Sequence, residues 1–321
     1  MRLITYSLLD GDAGPRAGAL VSDGIVDLAD VSTATRQAEP LPTTLIEVLQ
    51  LEDAGIEAAR DVVTRAQRTG QIIPLEATRL HAPLPRPNSL RDFMTIEQHI
   101  IGCGHTPQEE WYNIPVYWKG NVEGVFGPGD EIRWPHYSDL LDFEVELGAV
   151  IGRRGTRIPR SEAQHYIVGY TIFNDWSARD IQRREMTVRL GPGLGKDFAT
   201  SLGPCIVVPD EADDFDPYSA PVRVRVNGEV WAEGDMSDMR WRFDELVSHL
   251  SEEQVVAPGD VLGSGTMGNG CGVELGRELS PGDIVEIEMD GLGKLINRVA
   301  PAVPLPSDDF GAMRNPGITR A

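Results

Sequence analysis

Three carboxylates have the types and the setting that could hold a hard metal cation. Glu144 and Glu146 alternate with apolar residues in Asp142-Phe-Glu-Val-Glu-Leu147, and Asp175 follows a second apolar segment. Alternation predicts a strand with one apolar and one acidic face. Repelling charges at a partly buried site are costly, whereas Mg²⁺, Mn²⁺ or Ca²⁺ would neutralise them with oxygen ligands. The alternative is an acidic strand face in solvent, the ordinary pattern of a half-exposed strand.

The elements that must position these acids predict a β-rich chain in two parts. Residues 1–80 favour a small α+β domain, with strands near 3–6 and 17–21 and helical periodicity after residue 45. Three prolines in residues 81–89 predict a stiff connection, so we place a boundary there and a larger domain over 81–321. Its turn-separated strands are expected at residues 142–151, 166–173, 204–208, 222–226, 259–262 and 283–288.

Two segments near the acids have their own predictions. Residues 92–117 are irregular and broken by glycine and proline, which favours a lid. Asp175 is expected just past the end of the strand over 166–173. Ser177-Ala-Arg-Asp180 resembles a capping box, so a helix is predicted to begin there and to run through about Met186.

Bulk properties exclude several classes of partner. The formal net charge of −21 over 321 residues argues against nucleic acid and against an anionic membrane, and an anionic substrate would need local cations. Cys103, Cys205 and Cys271 are widely spaced and are interpreted as reduced thiols. Because the N-terminus lacks a signal-peptide core and no segment approaches about 20 apolar residues, we expect a cytoplasmic protein.

Other motifs are rejected or weak by themselves. Gly191-Pro-Gly-Leu-Gly-Lys196 has neither the first glycine nor the hydroxyl residue of a phosphate-binding loop, and residues 263–268 favour a tight loop over a dinucleotide fingerprint. No Gly-x-Ser-x-Gly elbow supports a serine nucleophile. Without further context, His99 is interpreted as a structural histidine and Lys196 as a surface lysine.

Several separated segments, in the same order, resemble the fumarylacetoacetate hydrolase family, and together they span residues 83–300. The most specific is Asn174-Asp-Trp-Ser-Ala-Arg-Asp-Ile-Gln182, followed by Gly195-Lys-Asp-Phe198. The resemblance implies a mixed β-roll or sandwich catalytic domain, a small N-terminal α+β domain packed against it and helping to close the site, and a homodimer. The expected fold class is therefore α+β and β-rich.

The resemblance also implies the ligands of a divalent cation. Glu144, Glu146 and Asp175 match the family's metal-binding carboxylates, and Asp92 matches a fourth oxygen ligand in the fumarylacetoacetase branch. The expected ion is Mg²⁺, with Mn²⁺ or Ca²⁺ as alternatives. No organic cofactor is expected.

Further family positions are implied to act on the substrate. Lys196 and Gln182 match residues that stabilise an oxyanion, and Thr266 and Arg179 are assigned to substrate binding. His99 matches the general base.

The partner that would orient His99 is left open by the sequence. Glu274 matches the family's orienting acid, but its alignment follows a short loop over residues 269–272, and Glu97 is a rival. Against Glu97, residues two apart do not face each other on a helix.

The predicted activity is metal-dependent hydrolysis of a carbon-carbon bond in a small anionic 1,3-dicarbonyl or acylpyruvate-type acid. His99 would take a proton from water, and the cation would polarise the substrate carbonyl. One alternative uses the same chemistry for decarboxylation of a 2-oxo acid or for keto-enol isomerisation, neither of which needs an attacking water. Another alternative is a catalytically silent binding protein.

Overall fold

The computed structural model describes residues 1–11, 14–33, 40–209 and 215–303. In these ranges two sheets dominate, one with eleven strands and one with five, and the helices are short apart from one. The predicted α+β, β-rich fold class is confirmed.

The described N-terminal part combines four strands and three α-helices before the proline-rich connection. The longest helix buries residues three or four apart, Gly55, Ala59, Val62 and Ala66, which places one face on the sheet. The helix is capped at its C-terminal end by Gly70, whose positive φ of 70° favours glycine. The elements are β1 (Arg2–Leu8), β2 (Arg16–Val21), β3 (Gly24–Asp27), α1 (Leu28–Thr33), α2 (Leu45–Gln50), α3 (Glu52–Thr69) and β4 (Thr78–Leu80).

The remainder of the chain is mostly strands with short helices, and the predicted strands are present with ends shifted by a few residues. The elements are β5 (Ser89–Phe93), α4 (Glu97–Gly102), β6 (Tyr117–Gly120), β7 (Val125–Phe126), β8 (Glu131–Arg133), β9 (Leu141–Asp142), β10 (Val145–Ile151), α5 (Arg160–Ala163), β11 (Ile167–Asp175), β12 (Ser177–Ala178), α6 (Arg179–Met186), β13 (Thr200–Val207), β14 (Val222–Val226), β15 (Glu229–Gly234), α7 (Phe243–Leu250), β16 (Asp260–Gly263), α8 (Gly272–Leu275), β17 (Ile284–Met289) and β18 (Gly293–Ala300). Short 3₁₀ turns lie at Leu75–Ala77, Glu109–Tyr112 and Gln164–Tyr166.

The large sheet has the order β3-β2-β1-β13-β11-β10-β16-β5-β6, with β4 on β1 and β7 on β13. The second sheet has the order β15-β14-β17-β18-β8. Because β1 pairs with β13, the N-terminal strands continue the sheet of the larger part. The division into domains at residue 80 stays a prediction.

Both faces of the large sheet are covered. On one face, α2 packs through Leu45 and Leu49, and α3 through Ala59 and Val62, into a core that includes Phe173. On the other, Leu147 belongs to a core shared with the five-stranded sheet. As a result every residue of β10 is buried, and the interpretation of an acidic strand face in solvent is wrong.

The chain around Asp175 differs in detail from the prediction. Asp175 is the last residue of β11 rather than the residue beyond it. The helix ends at Met186 as predicted, but it begins at Arg179, and no side chain caps it. Asp180 instead accepts a hydrogen bond from Ser138 Oγ at 2.5 Å, so the capping box is wrong because a tertiary partner takes its carboxylate.

In the part of the chain that the structure describes, no helix combines the length and the apolar character needed to cross a membrane.

Candidate metal centre and active site

Three buried carboxylates from three strands converge in the large sheet. Asp92 lies on β5, Glu146 on β10 and Asp175 at the end of β11. One oxygen of each lies within 4.8 Å of the others, and the residues are 4%, 1% and 0% exposed. These three residues are called the acidic centre below.

A glycine lets two of these carboxylates approach each other. On β16, between β5 and β10, Gly263 pairs with Asp92 on one side and with Gly148 on the other. A Cβ at Gly263 would lie 2.6 Å from Asp92 Oδ1 and 2.7 Å from Glu146 Oε2. The space that the two carboxylates occupy therefore depends on the missing side chain.

The chemistry of the acidic centre fits a hard divalent cation. Among the described residues, Asp92 Oδ1 and Asp175 Oδ1 are buried without a hydrogen-bond partner. Burial and the charge of Asp92 raise the pKa of Glu146 well above its usual range. Burial, and to a smaller extent the charge of Asp92, also raise the pKa of Asp175. A bound dication would supply the positive charge and use the oxygens that lack partners.

Glu144 lies beside the acidic centre, but two cations already hold its carboxylate. Arg179 Nη1 donates to Glu144 Oε1 at 2.5 Å, and the Lys196 ammonium donates both to Glu144 Oε2 and to Asp175 Oδ2. Although burial opposes ionisation, these cations hold the pKa of Glu144 well below its usual range. The predicted role of Glu144 as a metal ligand stays a prediction.

Lys196 is 3% exposed, so its interpretation as a surface lysine is wrong. Burial alone would lower the pKa of its ammonium, but the charges of Asp175 and Glu144 outweigh this effect and raise it. The sequence left this balance open. In the structure Lys196 is a fixed positive charge on the cavity wall.

His99 is oriented by Glu274 and not by Glu97. His99 Nδ1 lies 2.9 Å from Glu274 Oε2, and His99 Nε2 lies 3.3 Å from Glu144 Oε1. Glu97 instead accepts a hydrogen bond from the exposed Tyr112 hydroxyl. Burial by itself would lower the pKa of His99, but hydrogen bonds with Cys271, Glu144 and Glu274 raise it well above its usual range.

A cavity of about 230 Å³ joins these groups. Its polar wall carries seven of the ten residues assigned from the sequence. They are Asp92, His99, Glu144, Glu146, Gln182, Lys196 and Thr266. The apolar part includes Met94 and Val116 from the segment predicted as a lid. No residue of 1–80 that the structure describes lines the cavity, so the help of the N-terminal part in closing the site stays a prediction.

The other three assigned residues lie behind this wall. Asp175 contacts the cavity wall by accepting a hydrogen bond from Lys196, and Glu274 contacts it through the His99 ring. Arg179 is 4% exposed, and its Nε donates to Asp142 Oδ2 at 2.9 Å while its Nη1 holds Glu144. The contact of Arg179 with substrate stays a prediction, because the guanidinium is already committed to these two acids.

Comparison with known proteins places the chain in a family. A sequence profile described as fumarylacetoacetate (FAA) hydrolase C-terminal matches residues 90–300. The chain belongs to the fumarylacetoacetate hydrolase family. The match covers the strands that carry the acidic centre, the motif of α6 and the loop that bears Lys196.

Relatives within this family catalyse more than one reaction. Oxaloacetate tautomerase YisK of Bacillus subtilis is 31% identical over 292 residues, which cover 88% of this chain and 95% of that protein. A probable 2-hydroxyhepta-2,4-diene-1,7-dioate isomerase of Mycobacterium abscessus superposes with a TM-score of 0.70 at 26% identity, covering 95% of this chain and all of that one.

A third structure shows the same fold at lower identity. Maleylpyruvate hydrolase of Sphingobium sp. SYK-6, in complex with manganese(II) and pyruvate, has a TM-score of 0.71 at 21% identity and covers 94% of this chain and 100% of that one. Relatives of this chain are therefore enzymes, and those above 25% identity include a tautomerase and a probable isomerase.

Two residues that shape this family site, Asp142 and Trp118, were not assigned from the sequence. Asp142 binds Arg179 and accepts the backbone N–H of Gly272 at 2.8 Å, which fixes the start of α8. Trp118 Nε1 donates to Asp92 Oδ2 at 2.9 Å. Asp142 carried a signal, because it continues the alternation of Glu144 and Glu146. Trp118 carried none, since its partner lies 26 residues away on the neighbouring strand.

Proposed function

We propose that this protein is a divalent-cation-dependent tautomerase that interconverts the keto and enol forms of a small 2-oxo dicarboxylic acid of the oxaloacetate type. One observation carries the proposal: Asp92 and Glu146 of the acidic centre line the same small cavity as His99, which Glu274 contacts from behind. The similarity to an oxaloacetate tautomerase over 88% of the chain supports it.

The size and charge of the cavity favour a small acid. Its volume of about 230 Å³ is below the ~300–1,000 Å³ of sites for drug-sized ligands. The net charge of −21 repels anions at long range, so binding must depend on local positive charge. Lys196 supplies one such charge, and a cation in the acidic centre would supply two more.

The chain's own residues provide the proton transfer. In its neutral form, His99 takes through Nε2 a proton from the carbon between the substrate's carbonyl and its second carboxylate, and the electron pair moves onto the carbonyl oxygen. Glu274 holds the ring through Nδ1, and Nε2 lies 3.3 Å from Glu144 Oε1, which lines the cavity. Return of the proton to that oxygen completes the enol, and no bond between carbon atoms breaks.

Three other residues of the cavity wall meet the developing negative charge on oxygen. Lys196 carries a buried ammonium, and Gln182 and Thr266 line the same cavity with hydrogen-bond donors. Such donors are already oriented before the reaction, which is the main source of electrostatic catalysis. A divalent cation held by the acidic centre would add Lewis-acid polarisation of the substrate oxygens.

Hydrolysis of a carbon-carbon bond, the activity predicted from the sequence, is the second candidate. It is favoured by the same His99–Glu274 pair, because a carboxylate-held imidazole can also take a proton from water. Decarboxylation of a 2-oxo acid would need neither the histidine nor the water.

The test measures products as well as rates. Purified protein with Mg²⁺ or Mn²⁺ is given oxaloacetate, and the decay of enol absorbance is compared with the uncatalysed reaction. The same protein is given a panel of acylpyruvates, and products are identified by mass. Acceleration of enol decay without new products supports tautomerisation. Cleavage of an acylpyruvate into two acids, with no acceleration of enol decay, would replace it by hydrolysis.

We also propose Mg²⁺ as the ion in the cell, a homodimer as the assembly and the cytoplasm as the location, with no nucleic-acid or membrane partner. These proposals rest on the family resemblance, on the oxygen ligands and on the acidic composition. Sedimentation of the purified protein as a monomer would contradict the homodimer.

A further inference from the structure

Two cysteines that the proposed reaction does not use lie against His99. Cys103 Sγ is 3.8 Å from each of the two ring nitrogens of His99. Cys271 Sγ completes a group whose three ligand atoms all lie within 4.8 Å of one another. His99, Cys103 and Cys271 are called the thiol-histidine cluster below.

The fold holds this cluster in place from two directions. His99 and Cys103 are four residues apart at the end of α4, so both side chains lie on one face of that turn. Cys271 precedes α8, and its backbone bridges to Glu144 beside the acidic centre. Cys271 is buried, whereas His99 and Cys103 are half-buried and give an ion a path from outside.

The spacing agrees with a tetrahedral site for a thiophilic ion. Zinc lies about 2.3 Å from thiolate sulfur and about 2.0–2.1 Å from imidazole nitrogen, so tetrahedral angles place sulfur and nitrogen roughly 3.5 Å apart. The observed 3.8 Å between Cys103 Sγ and His99 Nε2 is close to this value, but Sγ is equally far from Nδ1, so the Cys103 side chain must turn toward Nε2 when the ion binds. Sulfur and imidazole ligands favour Zn²⁺ or Cd²⁺ over Mg²⁺.

Glu274 supplies the outer contact that such a site uses. A metal-binding histidine donates its second N–H to a carboxylate, which fixes the tautomer and turns the other nitrogen toward the ion. Glu274 Oε2 lies 2.9 Å from His99 Nδ1, which leaves Nε2 as the ligand. The Cys271 thiol donates to the same oxygen at 3.2 Å.

We propose that His99 Nε2, Cys103 Sγ and Cys271 Sγ form a second metal site, specific for Zn²⁺ or a similarly thiophilic divalent ion. It shares no ligand with the acidic centre, and it does not depend on which reaction the enzyme catalyses. Binding forms one bond to nitrogen and two to sulfur, and the two thiol protons and the proton on His99 Nε2 leave to solvent. Because Nε2 is then occupied, His99 cannot transfer a proton, and the bound ion inhibits the enzyme.

The binding test uses Co²⁺ as the probe on full-length protein already saturated with Mg²⁺. A thiolate-to-cobalt charge-transfer absorption that saturates at one equivalent is expected, because oxygen ligands give no such band. The band should be lost in Cys103→Ser. It should persist in Cys205→Ser, whose buried thiol lies elsewhere beside Arg2 and Leu292.

The same experiment separates the two metal sites. Glu146→Gln, which lacks one acid of the acidic centre, should keep the band. Absence of the band from the wild-type protein, or its persistence in Cys103→Ser, overturns the proposal. Because Cys103 is half-buried, this variant is decisive even where substitution of the buried Cys271 impairs folding.

A second readout follows turnover of whichever substrate the enzyme accepts. With Mg²⁺ saturating, the Zn²⁺ concentration that gives half-inhibition should rise at least about tenfold in Cys103→Ser and stay unchanged in Cys205→Ser. Equal inhibition of both variants contradicts the site. The cobalt band is measured without substrate. It therefore tests the second metal site even if the proposed reaction is not catalysed.

Discussion

Two regions of this protein bury carboxylates in opposite ways. In the N-terminal part, Asp27 is 3% exposed and accepts hydrogen bonds from the Tyr6 hydroxyl at 2.5 Å, from Arg16 Nε at 2.6 Å and from the Asp30 backbone at 2.7 Å. Although burial opposes ionisation, the bonds from Arg16 and Tyr6 lower the pKa of Asp27. The fold itself therefore supplies the hydrogen-bond partners of this carboxylate.

The acidic centre is the reverse case. Asp92 and Asp175 each keep one buried oxygen that lacks a hydrogen-bond partner among the described residues, and the pKa of Glu146 is raised. The fold has therefore brought three acids together with the Lys196 ammonium on Asp175 as their one direct cationic partner among the described residues. Residues that destabilise their own surroundings in this way mark functional sites, because a ligand must compensate them. The comparison can be tested by exchanging acids for amides in both regions.

The largest effect is expected for activity in Glu146→Gln. Removal of one acid of the acidic centre should lower turnover by about 10³-fold, or about 4 kcal/mol of transition-state stabilisation, because the cation is lost or misplaced. Steady-state rates at saturating Mn²⁺ measure this change. Asp27→Asn is the matched control and should keep its turnover per folded molecule. Unimpaired turnover in Glu146→Gln would remove the acidic centre from the mechanism.

The next effect is expected for stability in Asp27→Asn. Breaking this buried ion pair should lower the free energy of unfolding by about 3 kcal/mol, which denaturant titration measures. Because the pKa of Asp27 is lowered in the folded state, the difference from wild type should be full near neutral pH and disappear as the pH falls below about 4. Asp30→Asn removes the exposed partner of the same arginine and should cost less than about 1 kcal/mol.

A third experiment narrows the space between two acids without changing either. In Gly263→Ala the new methyl group would lie within 2.7 Å of Asp92 Oδ1 and Glu146 Oε2, so affinity for Mn²⁺ should fall by about 10²-fold. Titration followed by electron paramagnetic resonance measures it. Gly14→Ala adds a methyl group with nothing within 4 Å and should leave affinity unchanged. Equal affinities in the two variants would contradict the role given to Gly263.

The smallest effect concerns stability in the presence of a chelator. There, Glu146→Gln should unfold at a higher temperature than wild type, by an amount that corresponds to about 1 kcal/mol, because burial and Asp92 make ionisation of this carboxyl unfavourable in the folded state and the amide carries no charge. Differential scanning calorimetry with excess EDTA measures this shift. A lower melting temperature, like that expected for Asp27→Asn, would show that the two regions do not differ as described.

The sequence determined the strands and the types of residue at the site. Alternation in residues 142–147 identified Glu144 and Glu146, and the motifs over residues 174–182 and 195–198 identified Asp175, Gln182 and Lys196. These signals are local, since a strand's periodicity and a short motif are complete within about ten residues. The family and the β-rich class followed from the sequence.

Only the tertiary structure decided how the charges are paired. Glu144 and Glu146 look alike in the sequence, yet Arg179 and Lys196 hold the first, while the second faces Asp92 across Gly263. The choice of Glu274 over Glu97 as the partner of His99 also needed the fold, because 175 residues separate the pair. Sequence periodicity predicts on which face of a strand a side chain lies. It does not predict which strand lies next to it, and that neighbouring strand decides whether a buried acid stabilises the fold or binds a cation.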